Sequence, residues 1–425
     1  MLGQMQNWPL LMSKMLDHAE NNFATREIVS MLPEGGQFRY TYKDMALRAR
    51  KLAQALERLG VDKSERVATM MWNTHRHVEA WYAIGGMGAV CHTINPRLFA
   101  EQIVYIAGHA QDKVLIFDVT FAPLIEALAP QMPSVKYFIC AVGREHMPAT
   151  KLENMLCFEE LLAGEDGTFI WPTMDENTAC GLCYTSGTTG HPKGVLYSHR
   201  SNFLHTLLAL GVDTLGISAT GTLLPVVPMF HANAWGFPLA ATLSGAKMVL
   251  NGPHHDPETL HNLIIDEEVT LTGAVPTIWQ AMLNYLQATG KGCGKLKGVT
   301  IGGSAVPRSM IEVFQRDYGI RVNHAWGMTE TSPLGALGSE NGAIMNLSEA
   351  EKLNVQVKQG RAVPCVELAV KDSDGNILPR DGKSSGHLMV RGPWVIEHYF
   401  GHENEQLLDD DGWFDTGDIA NIDPN

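Results

Sequence analysis

A glycine- and hydroxyl-rich segment at residues 184–194 most constrains how this chain can fold. It reads Tyr-Thr-Ser-Gly-Thr-Thr-Gly-His-Pro-Lys-Gly, and short apolar runs flank it at residues 179–184 and 195–197. Apolar runs of this length, bounded by turn-forming residues, are typical of buried strands. The sequence therefore predicts a tight polar loop between two buried strands.

The composition of this loop predicts a phosphate-binding site. Glycines let backbone N–H groups approach an anion, hydroxyl side chains add neutral donors, and Lys193 adds a positive charge. A Walker-type loop is disfavoured because Pro192 precedes the lysine and Gly194 follows it. A flexible surface linker is the alternative, but a linker has no need of a Pro-Lys-Gly exit into a strand. The predicted phosphate contacts are Thr185, Ser186, Gly187, Thr188, Thr189, Gly190 and Lys193.

Residues 185–194 resemble the signature loop of the adenylate-forming superfamily, which includes acyl-CoA synthetases, firefly luciferase and the adenylation domains of peptide synthetases. The resemblance extends along nearly the whole chain. It implies a reaction in which ATP activates a carboxylate as an acyl-adenylate and pyrophosphate leaves. In most of the superfamily the acyl group then passes to a thiol.

Composition narrows the classes of partner and the compartment. The net charge of −14 argues against nucleic acid or an anionic membrane as the main partner. Seven scattered cysteines are too few, and odd in number, for a disulfide framework, and we interpret Cys180 and Cys183 as buried packing rather than a zinc or redox site. No apolar run reaches the ~18 residues of a membrane span, and residues 1–16 do not resemble a signal peptide. We predict a cytoplasmic protein.

The alternation of apolar runs and helical patterns predicts an α/β fold with mostly parallel sheets. Helices are expected at residues 11–19 and 41–59, and residues 143–175 lose the alternation and are interpreted as a connecting excursion. The resemblance implies two stacked α/β subdomains and a small β-barrel-like subdomain, which together form the large N-terminal AMP-binding domain of the family. The predicted boundaries are 1–175, 176–340 and 341–425.

A second motif spans residues 228–236. His231 and Trp235 are four positions apart and would share one face if this segment were helical. By resemblance, His231 lies beside the reacting carboxylate, and Trp235 matches an indole that gates the acyl tunnel of long-chain enzymes. The alternative is a core histidine and a packing tryptophan.

Two further segments complete the nucleotide site that the resemblance implies. Gly302, Gly303 and Ser304 follow a predicted strand and would form a wall for adenine and the acyl chain, although an ordinary strand-to-helix turn is an alternative. Residues 324–331 run from a strand into a turn. The adenylate contacts predicted there are His324, Ala325, Trp326, Gly327, Met328 and Thr329.

Three side chains in these segments suit particular ligands. Trp326 can stack on adenine, and the hard oxygens of Glu330 suit Mg²⁺, which the resemblance places between Glu330 and Thr185. Asp418 matches an aspartate that accepts both ribose hydroxyls. The alternatives are a helix N-terminal carboxylate for Glu330 and an Asx turn for Asp418.

The predicted sites can be stated as sets. The catalytic residues are Thr185, Lys193, His231 and Glu330. The acyl pocket comprises His231, Trp235, Gly303, Trp326, Met328 and Pro333. The resemblance implies ATP and CoA as co-substrates, Mg²⁺ as cofactor, a small carboxylic acid as substrate and, by analogy, a homodimer.

The motifs most resemble those of bacterial medium- and long-chain fatty acyl-CoA ligases, and equally those of 3-methylthiopropionate-CoA ligases. The sequence does not determine the chain length of the acid or whether CoA or a carrier protein accepts it. A non-catalytic nucleotide-binding module is the alternative of a different class. The resemblance also predicts that residues 1–425 bind MgATP and carboxylate but adenylate slowly, because the family's mobile C-terminal domain follows this point.

Overall fold

Three β-sheets and their covering helices form the fold in the computed structural model, which describes residues 1–185, 190–339, 342 and 344–424. The strands are β1 (Glu27–Met31), β2 (Gln37–Thr41), β3 (Arg66–Met70), β4 (Val90–Thr93), β5 (Val114–Phe117), β6 (Tyr137–Cys140), β7 (Met155–Cys157), β8 (Ala179–Tyr184), β9 (Gly194–Ser198), β10 (Thr222–Pro225), β11 (Lys247–Leu250), β12 (Leu271–Ala274), β13 (Gly298–Ile301), β14 (Arg321–Gly327), β15 (Leu334–Leu337), β16 (Arg361–Ala362), β17 (Glu367–Lys371), β18 (Gly386–Arg391) and β19 (Phe414–Ala420). The α-helices are α1 (Met12–Asn22), α2 (Tyr42–Arg58), α3 (His75–Met87), α4 (Ala100–Ala110), α5 (Ala122–Leu128), α6 (Phe158–Ala163), α7 (His199–Leu210), α8 (Phe237–Ser244), α9 (Pro257–Asp266), α10 (Pro276–Thr289), α11 (Arg308–Tyr318) and α12 (Glu349–Gln356).

The first sheet has seven strands in the order β7-β6-β5-β3-β4-β8-β9. The strands are parallel except for β9, which returns antiparallel beside β8. All four residues of β5 are buried, as expected for a parallel strand covered by helices on both faces. Helix α2 begins with a capping box between Thr41 and Asp44 and buries its predicted apolar face.

The second sheet has nine strands in the order β16-β15-β14-β13-β12-β10-β11-β1-β2. Its centre, from β14 to β1, is parallel, and the β1–β2 hairpin from the N-terminal region closes one edge. The boundary that we predict near residue 175 remains a proposal. Sheet membership does not follow it, because β1 and β2 join the second sheet while β8 and β9 join the first.

The third sheet is small and antiparallel, in the order β17-β18-β19. It is an open sheet rather than the barrel-like unit that the resemblance implies. Residues 143–175, which we interpret as a connecting excursion, contain the short elements β7 and α6. The predicted helices near residues 11–19 and 41–59 are confirmed as α1 and α2.

The cysteines agree with the packing interpretation. All seven are free, and Cys180 and Cys183 are buried in β8. Within the described ranges, no group of three or more His, Cys, Asp or Glu side chains is arranged to hold a metal ion. No helix in that part of the chain has the length and apolar character needed to cross a bilayer.

Candidate active site

A cavity of about 460 Å³ opens where strands of the two large sheets end. Residues that follow β8, β10 and β13, together with the end of β14, contribute to its walls. Its lining comprises Thr185, His191, Lys193, Leu215, His231, Ala232, Trp235, Phe237, Thr300, Gly302, Gly303, Ala325, Trp326, Gly327, Met328, Thr329, Glu330, Pro333 and Leu334. The carboxyl ends of strands are the usual ligand-binding edge of α/β sheets.

The β8–β9 hairpin carries the predicted phosphate loop to this cavity. The Thr185 N–H donates to the Lys193 carbonyl over 2.9 Å, and the Lys193 N–H donates to the Thr185 hydroxyl over 3.3 Å. These two bonds close the base of the loop. The predicted contacts Ser186, Gly187, Thr188 and Thr189 lie outside the described residues, and Gly190 is described but does not line the cavity.

Glu330 and Lys193 both line the cavity, and Tyr399 contacts both. Glu330 is only 6% exposed, and the Tyr399 hydroxyl donates to its carboxylate over 2.8 Å. The Lys193 ammonium lies 4.7 Å from the centre of the Tyr399 ring. Burial raises the pKa of Glu330, while the Tyr399 hydrogen bond and the Lys193 charge oppose this rise. Tyr399 belongs to none of the motifs that predict the site, so the sequence alone did not indicate it.

His231 and Trp235 both line the cavity, but not as neighbours on an α-helix. Residues 232–235 have positive φ angles of 39°, 58°, 47° and 55°, so the segment makes a left-handed turn. Such a turn costs L-residues roughly 1–2 kcal/mol each and persists only where the surroundings impose it. The condition of a helical segment is therefore not met, and His231 and Trp235 share one cavity through a left-handed turn instead. Burial lowers the pKa of His231, which favours the neutral imidazole.

Asn73 holds the segment that leads to His231. Its amide donates to the carbonyls of Pro225 and Val227 over 2.8 and 2.9 Å, and its carbonyl accepts from the Met229 N–H over 2.7 Å. Asn73 follows β3 of the first sheet, whereas residues 225–229 leave β10 of the second. One side chain therefore satisfies three backbone groups across the junction between the sheets.

Two indoles form the apolar wall. Trp235 lies against Gly302, where a Cβ would come within 3.3 Å of the indole Cη2. The Trp326 Nε1–H donates to an Asp418 carboxylate oxygen over 2.9 Å, which brings this aspartate of β19 next to the cavity. Glycine at position 302 thus lets the Trp235 indole lie against the backbone. That this segment forms a wall for adenine and the acyl chain stays a prediction.

Some predicted residues do not reach the cavity lining. Ser304 is exposed, and His324 is buried within β14. Asp418 approaches only through Trp326. Conversely, Leu215, Phe237, Thr300 and Leu334 line the cavity but belong to no motif that we could identify. Thr300 alone carried a signal, since it precedes the Gly-Gly pair by two positions.

The family profile described as AMP-binding enzyme matches residues 16–400. The chain belongs to the AMP-binding enzyme family. Among the AMP-binding enzymes that it resembles, a 3-methylmercaptopropionyl-CoA ligase of Ruegeria lacuscaerulensis is 48% identical over 425 residues, covering 100% of this chain and 79% of the relative. A medium-chain-fatty-acid–CoA ligase of Ectopseudomonas oleovorans is 47% identical over 423 residues, covering 100% and 77%.

A solved AMP-binding enzyme agrees with the fold. The inhibitor-bound crystal structure of the N-terminal domain of FACL13 from Mycobacterium tuberculosis superposes with a TM-score of 0.84 at 26% identity. The match covers 97% of each chain. The arrangement of the two mixed α/β sheets is therefore that of a known AMP-binding enzyme.

Proposed function

We propose that this protein is an ATP-dependent acid–CoA ligase. It would activate a medium- or long-chain fatty acid as an acyl-adenylate, release pyrophosphate and form acyl-CoA. One observation carries the proposal: a single cavity joins Lys193 and Thr185 to His231, Glu330 and an apolar wall. The names of the two relatives support the reaction class.

In the proposed reaction, the acid carboxylate attacks the α-phosphorus of ATP and the bond to pyrophosphate breaks. Lys193 and the loop amides bind the phosphates and offset the charge that moves onto pyrophosphate. His231, kept neutral by burial, can donate a hydrogen bond to the carboxylate or the α-phosphate. The protein needs no side-chain nucleophile, because positioning and charge neutralisation suffice.

Glu330 and Thr185 fit the magnesium ion that the family uses. A carboxylate and a hydroxyl are hard oxygen ligands, and both line the cavity beside Lys193. Tyr399 binds one of the two carboxylate oxygens of Glu330, and the other would bind the ion. Mg²⁺ bound there would neutralise phosphate charge. Trp326 would stack on adenine and Asp418 would accept the ribose hydroxyls.

The apolar wall supports an aliphatic acid. The cavity lining includes the apolar side chains of Leu215, Trp235, Phe237, Met328 and Pro333. An apolar pocket discriminates single methylenes by only about 1–3 kcal/mol. The second candidate substrate is 3-methylthiopropionate, favoured by the relative that is 48% identical. A non-catalytic binding module is disfavoured, because Lys193 and Glu330 are both present in the cavity.

Two accompanying proposals concern the whole protein. Seven free cysteines support a reducing, cytoplasmic setting. The exposed apolar side chains Met1, Leu2, Met5 and Trp8 support a homodimer in which the N-terminal segment packs on a second copy. Light scattering at micromolar concentration tests the dimer, and a monomer would exclude it.

Mass spectrometry tests the proposed function. The protein, in its full natural length, is incubated with MgATP, CoA and a ladder of straight-chain acids that includes 3-methylthiopropionate. We expect acyl-CoA with a maximum at one chain length. Acyl-AMP without acyl-CoA would move the thiol acceptor to another molecule, such as a carrier protein. Nucleotide binding with no product from any acid would contradict the ligase.

A further inference from the structure

The segment 396–400 ties together two parts of the cavity that are far apart in sequence. The Ile396 N–H donates to the Glu330 carbonyl over 2.8 Å, and the Phe400 N–H donates to the Gly194 carbonyl over 2.9 Å. Gly194 directly follows Lys193 at the start of β9. The backbone of this segment therefore bridges the Glu330 turn and the exit of the phosphate loop.

Tyr399 lies within this segment, and its side chain makes a second link, between Glu330 and Lys193. Its hydroxyl donates to Glu330 over 2.8 Å, and the Lys193 ammonium lies over its ring at 4.7 Å. The ring face offers Lys193 a favourable cation–π contact.

We propose that Tyr399 is a positioning residue for the adenylation reaction, which sets the orientation of the Glu330 carboxylate and seats Lys193 before the phosphates bind. The proposal rests on the proposed function. The hydroxyl occupies one oxygen of Glu330 and directs the other toward the cavity. The Tyr399 ring holds the Lys193 ammonium near the phosphate loop. Phosphates carry more negative charge than the ring face, so they can draw the ammonium away from the ring when they bind.

The two contacts can be removed one at a time. Tyr399→Phe removes the hydroxyl and keeps the ring, whereas Tyr399→Leu removes both. Tyr285 supplies a matched control on the surface of α10, because Lys291 donates to its hydroxyl over 2.6 Å and lies 5.1 Å from its ring. Tyr285→Phe and Tyr285→Leu make the same chemical changes outside the cavity lining.

Magnesium dependence tests the hydroxyl contact. For Tyr399→Phe we expect about a tenfold rise in the Mg²⁺ concentration that gives half-maximal acyl-adenylate formation, because a hydrogen bond to a charged group is lost. Affinity for ATP without metal should stay within about twofold, since the ring and Lys193 remain. A purely structural role would instead lower the melting temperature and leave the magnesium dependence unchanged.

Chemical labelling tests the contact between Lys193 and the Tyr399 ring without an assay of enzyme activity. The unliganded protein is treated with an amine-acylating reagent, and the labelling rate of Lys193 is read by mass spectrometry. We expect faster labelling in Tyr399→Leu, by about threefold for a cation–π contact of this kind, and no change in Tyr399→Phe. The Tyr285 variants should alter the labelling of Lys291 but not of Lys193.

The outcomes separate the two proposals. A wild-type protein that makes no acyl-adenylate would overturn the proposed function itself. The labelling result would still show whether the Tyr399 ring contacts Lys193. An active wild type whose Tyr399→Phe variant has unchanged magnesium dependence, and whose Tyr399→Leu variant has unchanged Lys193 labelling, would overturn the positioning role and leave the proposed function standing.

Discussion

At the scale of single residues, Glu330 illustrates a conflict between stability and function. Burial raises its pKa, so the carboxyl binds a proton more tightly in the folded than in the unfolded protein. The folded state therefore loses stability as the pH rises through this raised pKa. An ionised carboxylate in this place is explained by a ligand that it binds rather than by the fold.

We predict that Glu330→Gln raises the melting temperature at pH 8 and abolishes magnesium-dependent adenylation. The amide can still accept the Tyr399 hydrogen bond but carries no charge to desolvate. The gain should shrink as the pH is lowered, because the wild-type carboxyl then becomes neutral as well. Thermal melts at pH 5 and pH 8 measure this, with the exposed Glu349→Gln as control. A variant less stable than wild type at pH 8 would refute the argument.

Asn73 carries a second prediction at this scale. Asn73→Ala removes the partners of two backbone carbonyls and one N–H at residues 225–229, all in buried surroundings. We expect a loss of about 2–3 kcal/mol in the free energy of unfolding, because unpaired buried polar groups are costly. Urea denaturation measures the loss. Asn177→Ala, which removes an exposed amide bonded to Asp175, should cost well under half as much.

These residues show which parts of the site can be predicted from the sequence and which cannot. Lys193, His231 and Glu330 each belong to a dense local pattern, and the cavity contains all three. Tyr399 and Asn73 act through partners 69 and 156 positions away, so no local pattern announces them. Their importance arises from tertiary contact, which only the fold creates.

At the scale of elements, the left-handed turn at residues 232–236 departs most from expectation. The four-residue spacing of His231 and Trp235 would place both on one face only if the segment were helical. The observed turn has the opposite hand, and Asn73 fixes the backbone that enters it. Weaker elements are also hard to predict: β7 has three residues and β10 has four, too few for a periodic signal.

Gly236 closes this turn and allows a matched prediction. It has a φ of 77°, and a Cβ there would come within 2.9 Å of the ring of buried His205. Gly290 has a φ of 68° with open space around it. Gly290→Ala should cost about 1 kcal/mol from the backbone alone. Gly236→Ala should cost about 1–3 kcal/mol more, because His205 must also move. Equal losses of unfolding free energy for the two variants in urea denaturation would show that His205 moves away from the new Cβ at no cost in stability.

At the scale of the whole molecule, some strands join a different large sheet from their neighbours in the chain. This exchange of strands between the two sheets explains how the parts of the site come together. The hairpin that presents the phosphate loop belongs to the first sheet, although the remaining walls follow strands of the second. The α/β class can be read from alternation along the chain. The exchange of strands cannot be predicted from that alternation, because β1 and β8 join their sheets by pairing with strands that are distant in sequence.

A largely buried ion network joins helices α2, α3 and α6 to the β1–β2 hairpin. Arg48 donates to Glu79 over 2.8 Å and to both oxygens of Glu159 over 2.9 Å. Arg76 links Glu159 to Glu34 in the turn between β1 and β2, over 2.8 and 2.6 Å. Burial raises the pKa of Glu79, and Arg48 is the main cation that opposes this rise.

We predict that Arg48→Met lowers the free energy of unfolding by about 3–5 kcal/mol, because it leaves the fully buried Glu79 carboxylate without its partner. The loss should decrease at lower pH, since Glu79 can then take up a proton and become neutral. Adding Glu79→Gln should restore part of the stability at pH 8, whereas Arg144→Met, at an exposed pair with Glu160, should cost less than about 1 kcal/mol. Urea denaturation at two pH values measures all three. A pH-independent loss in Arg48→Met would mean that the arginine stem, and not the pairing of charge, stabilises the junction.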